Sequence, residues 1–348
     1  MYVRWFRDLK LGDRPAVGGK GASLGELTSA GIPVPPGFVV TTRAFETVLA
    51  ALDPEGLIRR EIERLDGGDL EAVSAVTDKI RSRIAAGALP GDLVRSVAAA
   101  YEELAGPDKP VAVRSSATSE DSSEASFAGL QDTHLCVRGT ASLMTSLCAC
   151  WASLYSRESV TYRLRLKLPE REVAMGVVVQ RMLESRTSGV MFTRSPVTGD
   201  RSVIAIEASW GLGSALVSGE VTPDKYVVSK VTGEIVKRTV SAKTLRHVAA
   251  PDGGVRVEML EGQTQLQPAL NDAEIHALAE VGKRVELHYR SPQDIEWAVA
   301  PDGEGGEGVY LLQSRPETVW ARRDAAPVAK PAARAYDHVL AALGKGRR

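Results

Sequence analysis

A short apolar run, Val111-Ala112-Val113, ends in Arg114 and opens at once into a stretch of small residues and hydroxyls, SSATSEDSSEASFAGLQDT, that closes at Thr133. The run predicts a buried strand. A strand ending in a guanidinium and a small-residue loop can bring backbone N–H groups and a cation against phosphates. A flexible serine-rich linker is the other reading. A linker gives no reason for a cation fixed at a strand end, or for Phe127 among small residues. The anion site is the reading carried forward.

At 348 residues and 44% hydrophobic, the chain can bury a large core, divided into two lobes. A formal net charge of -1 gives no electrostatic basis for binding nucleic acid. Cys136, Cys148 and Cys150 lack metal-ligand pairing and suit small core positions. The N-terminus carries charge at Arg4, Arg7 and Asp8, unlike a signal-peptide core. No apolar run approaches the ~20 residues of a membrane span. The expectation is a cytoplasmic protein with no membrane or nucleic-acid partner.

Gly18-Gly19-Lys20-Gly21 precedes a helical pattern through Leu24 and Leu27, ended by Gly31 and the prolines at 33, 35 and 36. A lysine among glycines at a helix start suits a phosphate, although such an entry is often only a turn. It is no Walker A motif, because Gly21 stands where Ser or Thr is needed. Phe38-Val39-Val40 reads as a strand, with Thr42 capping a helix through Leu52. Residues 53–106 read as a helical insert of two or three helices, broken at Gly67-Gly68 and Leu89-Pro90-Gly91. Leu143–Tyr155 is expected as a helix with Leu147, Trp151 and Leu154 inward. The cluster Arg157, Arg163, Arg165, Lys167 and Arg171 is either an anion or partner surface or a solvated helix face, the commoner case. Val173–Gln180 reads as a central strand, followed by short strands at 189–192, 203–207, 226–228 and 235–240. Gly211-Leu212-Gly213 is rejected as a dinucleotide fingerprint, since Leu216 occupies the third glycine's place. Asn271 caps a helix to about His288, with Ile275, Leu278, Val281 and Val285 inward.

Near the end, Asp294-Ile295-Glu296-Trp297 and Tyr310-Leu311-Leu312-Gln313-Ser314-Arg315 flank a strongly turn-forming stretch, Pro301–Gly308. Paired as a hairpin about that turn, they set Glu296 opposite Gln313 and Asp294 opposite Arg315. Period-two alternation then gathers all four side chains on one face. Hard oxygen donors beside an arginine suit Mg²⁺ and phosphate. An ordinary Asp294–Arg315 salt bridge on a solvated face is the alternative.

GGKGASLGEL (18–27), GIPVPPGFVVTT (31–42), the Arg114–Thr133 stretch, VVVQRML (177–183), SGVMFTRSPVTGD (188–200), SGEVTPDKY (218–226), DIEWA (294–298) and LLQSRPET (311–318) resemble, in order, motifs of one enzyme family. That family comprises phosphoenolpyruvate synthase, pyruvate phosphate dikinase and rifampin phosphotransferase. The resemblance covers roughly residues 10–318. It implies an α+β ATP-grasp fold with ATP bound between two lobes. On it we place a first lobe at 1–183 with the insert at about 53–106, a second at 184–320, and an Ala/Pro-rich basic tail at 321–348 carrying a short helix, Tyr336–Leu343.

Position by position, the resemblance implies that Lys20, Arg114 and Arg315 neutralise phosphate charge. Gly129 and Thr133 approach the triphosphate; Gln180, Met182 and Leu183 hold adenine; Glu296 and Gln313 carry Mg²⁺, so the metal reading of the hairpin is preferred. Arg194, where relatives often have a small or polar residue, either reaches the triphosphate or salt-bridges nearby. Larger family members continue into a swivelling domain with a phosphorylatable histidine in a glycine-rich setting. None of the five histidines here has that setting; His134 follows Thr133 but lacks the rest. The resulting expectation is a phosphotransferase split between polypeptides, similar to phenylphosphate synthase. This chain would supply Mg-ATP, a histidine-domain phosphocarrier subunit would take the β-phosphoryl with release of AMP and phosphate, and a small pyruvate- or phenol-type acceptor would receive it. A non-catalytic nucleotide-responsive subunit and the ATP-binding part of a rifampin-type phosphotransferase are the alternatives.

Overall fold

The structure, a computed structural model, describes residues 1–118, 132–303, 305–318 and 320. Gly129, Phe127 and the tail from 321 lie outside the described residues. The elements of the first part are β1 (Val3–Trp5), α1 (Arg14–Ser29), β2 (Gly37–Val40), α2 (Thr42–Leu52), α3 (Leu57–Glu63), α4 (Leu70–Ala86), α5 (Gly91–Ala105), β3 (Val111–Ala117), β4 (Thr133–Val137), α6 (Gly139–Ser153), α7 (Arg157–Leu166) and β5 (Met175–Arg181). Those that follow are β6 (Thr187–Phe192), β7 (Val203–Trp210), α8 (Ser214–Val217), β8 (Asp224–Ser229), β9 (Ile235–Thr239), β10 (Leu245–Ala249), β11 (Val255–Met259), α9 (Asp272–Tyr289), β12 (Gln293–Pro301) and β13 (Glu307–Pro316). This is an α+β protein.

Among the described residues the first sheet runs β1-β2-β5-β3-β4 and the second β13-β12-β6-β7-β8-β9, with β10-β11 a separate hairpin. Every strand pairing within these sheets is antiparallel. β5 lies at the centre of the first sheet, as its uninterrupted valines predict. Alternation sorts that sheet's residues between two faces. Phe38, Val40, Val113, Val177 and Val179 enter a core shared with Leu147, Trp151 and the insert helices, while Val39 and Val178 pack against Val17 and Leu24 of α1. Arg114 pairs opposite Val178 and so stands on the α1 face. In the second lobe Met191, Ile206, Tyr226, Ile295 and Trp297 pack against Ile275, Leu278 and Val285 of α9. Leu27 and Ile32 join that second core. α1 therefore straddles both lobes.

Several sequence expectations need correction. Thr41, in extended backbone, precedes α2 as its N-cap, and Thr42 is already helical. α6 begins at Gly139, earlier than its apolar stripe suggests. The glycine run lies inside α1 rather than before it, with Gly18 breaking the helix at φ 74°. A Cβ at Gly18 would fall 1.8 Å from the Ser116 carbonyl oxygen, so only glycine permits this approach to β3. Arg163 is not on a solvated face; it is fully buried. Its Nε donates to Glu170 at 2.8 Å and its Nη1 donates to the Leu154 carbonyl at 2.6 Å and to Ser159 Oγ at 3.0 Å. Lys167 ends α7 in left-handed backbone, and the turn at Glu170–Glu172 brings the buried carboxylate back to the arginine.

Candidate functional site

The chain crosses from the first sheet to the second between Arg181 and Thr187, and a cleft of about 330 Å³ opens beside that crossing. Apolar side chains line most of it: Leu135, Met182, Leu183, Val190, Leu212, Leu216 and Val217. Arg114, Thr133, Gln180, Ser214 and Glu296 supply polar groups. An apolar pocket with a few convergent polar groups is the usual form of a small-molecule site.

The polar end is built by β3 of the first sheet and by β12 and β13 of the second. Asp294 stands opposite Arg315 and Glu296 opposite Gln313, the register that the turn at 301–308 predicts. The register then slips, Trp297 facing Leu311, so Leu312 is an extra residue on β13. Arg114 reaches over from β3. Its Nη2 donates to Glu296 Oε2 at 2.5 Å and to Gln313 Oε1 at 2.8 Å, and its Nη1 donates to the Leu312 carbonyl at 2.8 Å. The bulge presents that carbonyl. Burial pushes the Glu296 carboxyl up, but the Arg114 charge and hydrogen bond, with Lys20 and Arg315 behind them, outweigh it and hold Glu296 below the usual carboxylate range.

Lys20 is buried in α1 where that helix bridges the sheets: Gly21 N donates to Ser116 Oγ on β3 at 3.0 Å, and Ser23 Oγ to the Ser314 carbonyl on β13 at 2.7 Å. Lys20 and Arg315 act on Glu296 through their charge, and neither they nor Gln313 line the cleft itself. Arg315 is engaged by Asp294, Nε and Nη2 donating to Oδ2 at 2.8 and 2.6 Å. The cross-strand salt bridge and the oxygen cluster therefore coexist on one face.

At the other end Gln180 Nε2 donates to the Pro35 carbonyl at 3.1 Å, which fixes the amide, and Met182 N donates to the Pro110 carbonyl at 3.1 Å. Arg194 engages its own loop and the segment that follows β13. Its Nε donates to the Gly199 carbonyl at 2.8 Å, its Nη1 lies 3.9 Å from Glu317, and its guanidinium sits over Trp320.

Sequence reading missed the wall formed by Leu212–Ser218. Gly211-Leu212-Gly213 was weighed only as a dinucleotide motif; its glycines serve a turn after β7, with Gly211 at φ 75°. Also missed was the β10–β11 hairpin, whose signal is Pro251-Asp252-Gly253-Gly254 between alternating apolar residues. Glu296 and Gln313 offer hard oxygens on adjacent strands. Among the described residues no cluster of three or more His, Cys, Asp or Glu forms a metal cage. Two protein oxygens beside a guanidinium fit Mg²⁺, which commonly keeps waters and substrate oxygens as further ligands.

Comparison with known proteins supplies the family. The family model for the pyruvate phosphate dikinase AMP/ATP-binding domain matches residues 14–335. A probable phosphoenolpyruvate synthase of Staphylothermus marinus is 41% identical, over 92% of this chain and 42% of its own length. A rifampicin phosphotransferase of a Streptomyces species is 45% identical, over 87% of this chain and 34% of its own. A probable phosphoenolpyruvate synthase of Methanothermobacter thermautotrophicus is 42% identical, over 91% of this chain and 46% of its own. The chain thus spans less than half the length of these curated relatives. With a cleft of this form and a match over most of its residues, the chain belongs to the pyruvate phosphate dikinase AMP/ATP-binding domain family.

Proposed function

We propose that the cleft binds Mg-ATP and that a histidine on a separate phosphocarrier subunit attacks the β-phosphorus, releasing AMP and taking the pyrophosphoryl group. Water then removes the γ-phosphate from that group as phosphate and leaves the β-phosphoryl on the histidine. The phosphocarrier then serves a small pyruvate- or phenol-type acceptor. The observation that carries this reading is the meeting of Arg114 and Glu296 at one end of an apolar cleft, with Gln313 bonded to Arg114 beside them and Gln180–Leu183 at the cleft's other end. Adenine fits the apolar end and the triphosphate the polar one. Arg114 and Lys20 neutralise charge that develops on the transferring group. Glu296 and Gln313 would hold Mg²⁺, which would supply Lewis-acid withdrawal of charge from the transferring phosphate. Because Arg114 keeps Glu296 ionised, that oxygen is ready for a cation. Among the described residues His134, His247, His276 and His288 do not line the cleft.

The test is calorimetric and isotopic. The chain is expected to bind ATP with Mg²⁺ present, and label from β-³²P-ATP is expected on an added histidine-domain subunit, with AMP formed. A folded sample that binds no ATP defeats the nucleotide reading. Transfer by the chain alone to pyruvate, phenol or rifampicin at normal enzymatic rates defeats the separate carrier.

A further inference from the structure

The wall missed from sequence carries a second layer. His247, on β10 and only 8% exposed, lies directly behind it. Its carbonyl accepts from Leu212 N at 2.8 Å, and a Cβ at Gly211 would fall 2.3 Å from that same oxygen. Its ring Nδ1 is 2.9 Å from Ser214 Oγ, while Nε2 faces Glu220 Oε2 at 3.5 Å. One histidine thus grips the wall by backbone and by side chain, with a carboxylate on the far side of its ring. A hydroxyl has one donor and two acceptor sites, so Ser214 retains capacity after its contact with His247. Ser214 also lines the cleft.

Its level along the cleft follows from β6. Val190 pairs opposite Glu296 at the polar end. Ser188 is two residues nearer the crossing, donates to the Gly211 carbonyl at 2.6 Å, and would lie 3.5 Å from a Cβ at Gly213. Ser214 therefore sits between the Gln180–Leu183 end and Glu296, where a nucleotide spanning both places its sugar.

We propose that Ser214 is a specificity-determining residue that hydrogen-bonds a sugar hydroxyl of the nucleotide, and that His247 is its positioning residue. This rests on the cleft's being the ATP site. Replacing Ser214 by Ala removes the hydroxyl and leaves its neighbours. Replacing His247 by Ala frees the hydroxyl to rotate, whereas Asn keeps a polar atom near the place of Nδ1.

The experiment measures binding of ATP, 2′-deoxyATP, 3′-deoxyATP and inorganic tripolyphosphate to the full chain with Mg²⁺. S214A is expected to bind ATP about fivefold more weakly, the size of one net hydrogen bond, and to lose wild-type discrimination against one deoxynucleotide. H247A is expected to lose the same discrimination and H247N to recover part of it, with tripolyphosphate binding unchanged in all three. If wild type binds ATP but S214A keeps its affinity and its discrimination, the proposal fails and the ATP reading survives. An equal loss for tripolyphosphate also overturns it, since the whole wall has then moved. A wild type that binds no ATP removes both.

Discussion

The interior of the second lobe and the seam between the lobes each hold a carboxylate against a cation, and they are finished differently. Asp224 and Lys243 are fully buried. Asp224 accepts from Lys243 Nζ at 2.6 Å, Ser241 N at 2.9 Å, Ala269 N at 2.8 Å and Tyr226 OH at 3.2 Å, and Lys243 also donates to the Ser241 carbonyl at 2.9 Å. Both oxygens are used and nothing reaches them from solvent. At the seam, the Arg114 side chain is 9% exposed but Glu296 is 34% exposed, and Arg114 Nε is buried without a hydrogen-bond partner among the described residues. Burial of charge is common to both places. Polar capacity left facing a cleft belongs to the seam alone of the two, and it separates a binding site from a structural pair.

The sharpest way to break this comparison is to remove one carboxylate from each place. Asp224→Ala leaves Lys243 charged in a sealed interior and is expected to destabilise the protein by about 3–5 kcal/mol. Replacing both partners with apolar residues of similar volume is expected to recover most of that loss, since a sealed pair is worth little beyond its own desolvation. Denaturant midpoints of single and double variants read this directly. Equal destabilisation by both would mean that the pair itself stabilises the lobe.

Glu296→Ala is expected to do the converse. ATP cleavage with the carrier present should fall by about 10²–10³-fold, the range for losing one preorganised electrostatic partner. The melting temperature should move by only a few degrees, because the freed Arg114 guanidinium still meets Gln313 and the Leu312 carbonyl. Full activity in this variant would assign Glu296 to structure, alongside Asp224.

The difference between the two places also explains what could be read from sequence. The Asp294–Arg315 and Glu296–Gln313 pairings were legible because a strong turn and period-two alternation fix both register and face. The bulge at Leu312 was not, since no residue type there demands an extra position. Arg163 looked like one of several surface cations; its partner Glu170 becomes its neighbour only when the chain reverses at Lys167. Asp224 and Lys243 are separated by strand β9, and nothing local marks them as a pair. The Leu212–Ser218 wall escaped because its glycines were tested for one motif, whereas their role is set by His247, far along the chain. Short-range rules found the oxygen cluster. Contacts between distant segments closed the cleft.

The smallest effect concerns acid. In the folded protein burial raises the Glu296 carboxyl, and Arg114, Lys20 and Arg315 more than reverse that, so it lies below its unfolded value. A group depressed on folding favours the folded state above its unfolded pKa, near 4.3, and that contribution disappears as pH falls through the lower folded value. The seam should therefore be indifferent to pH from about 5 upward and weaken only below about 4. Glu296→Gln cannot ionise, so its stability relative to wild type should be constant near neutrality and improve at the acid end. Exposure and salt screening keep the change modest, and added salt should shrink it. Parallel denaturation of wild type and E296Q between pH 3 and 7 isolates the seam, because all other groups titrate in both proteins. If the difference between them stays flat throughout, Arg114 does not hold Glu296 ionised in solution, and the contrast with the sealed Asp224–Lys243 pair loses its electrostatic half.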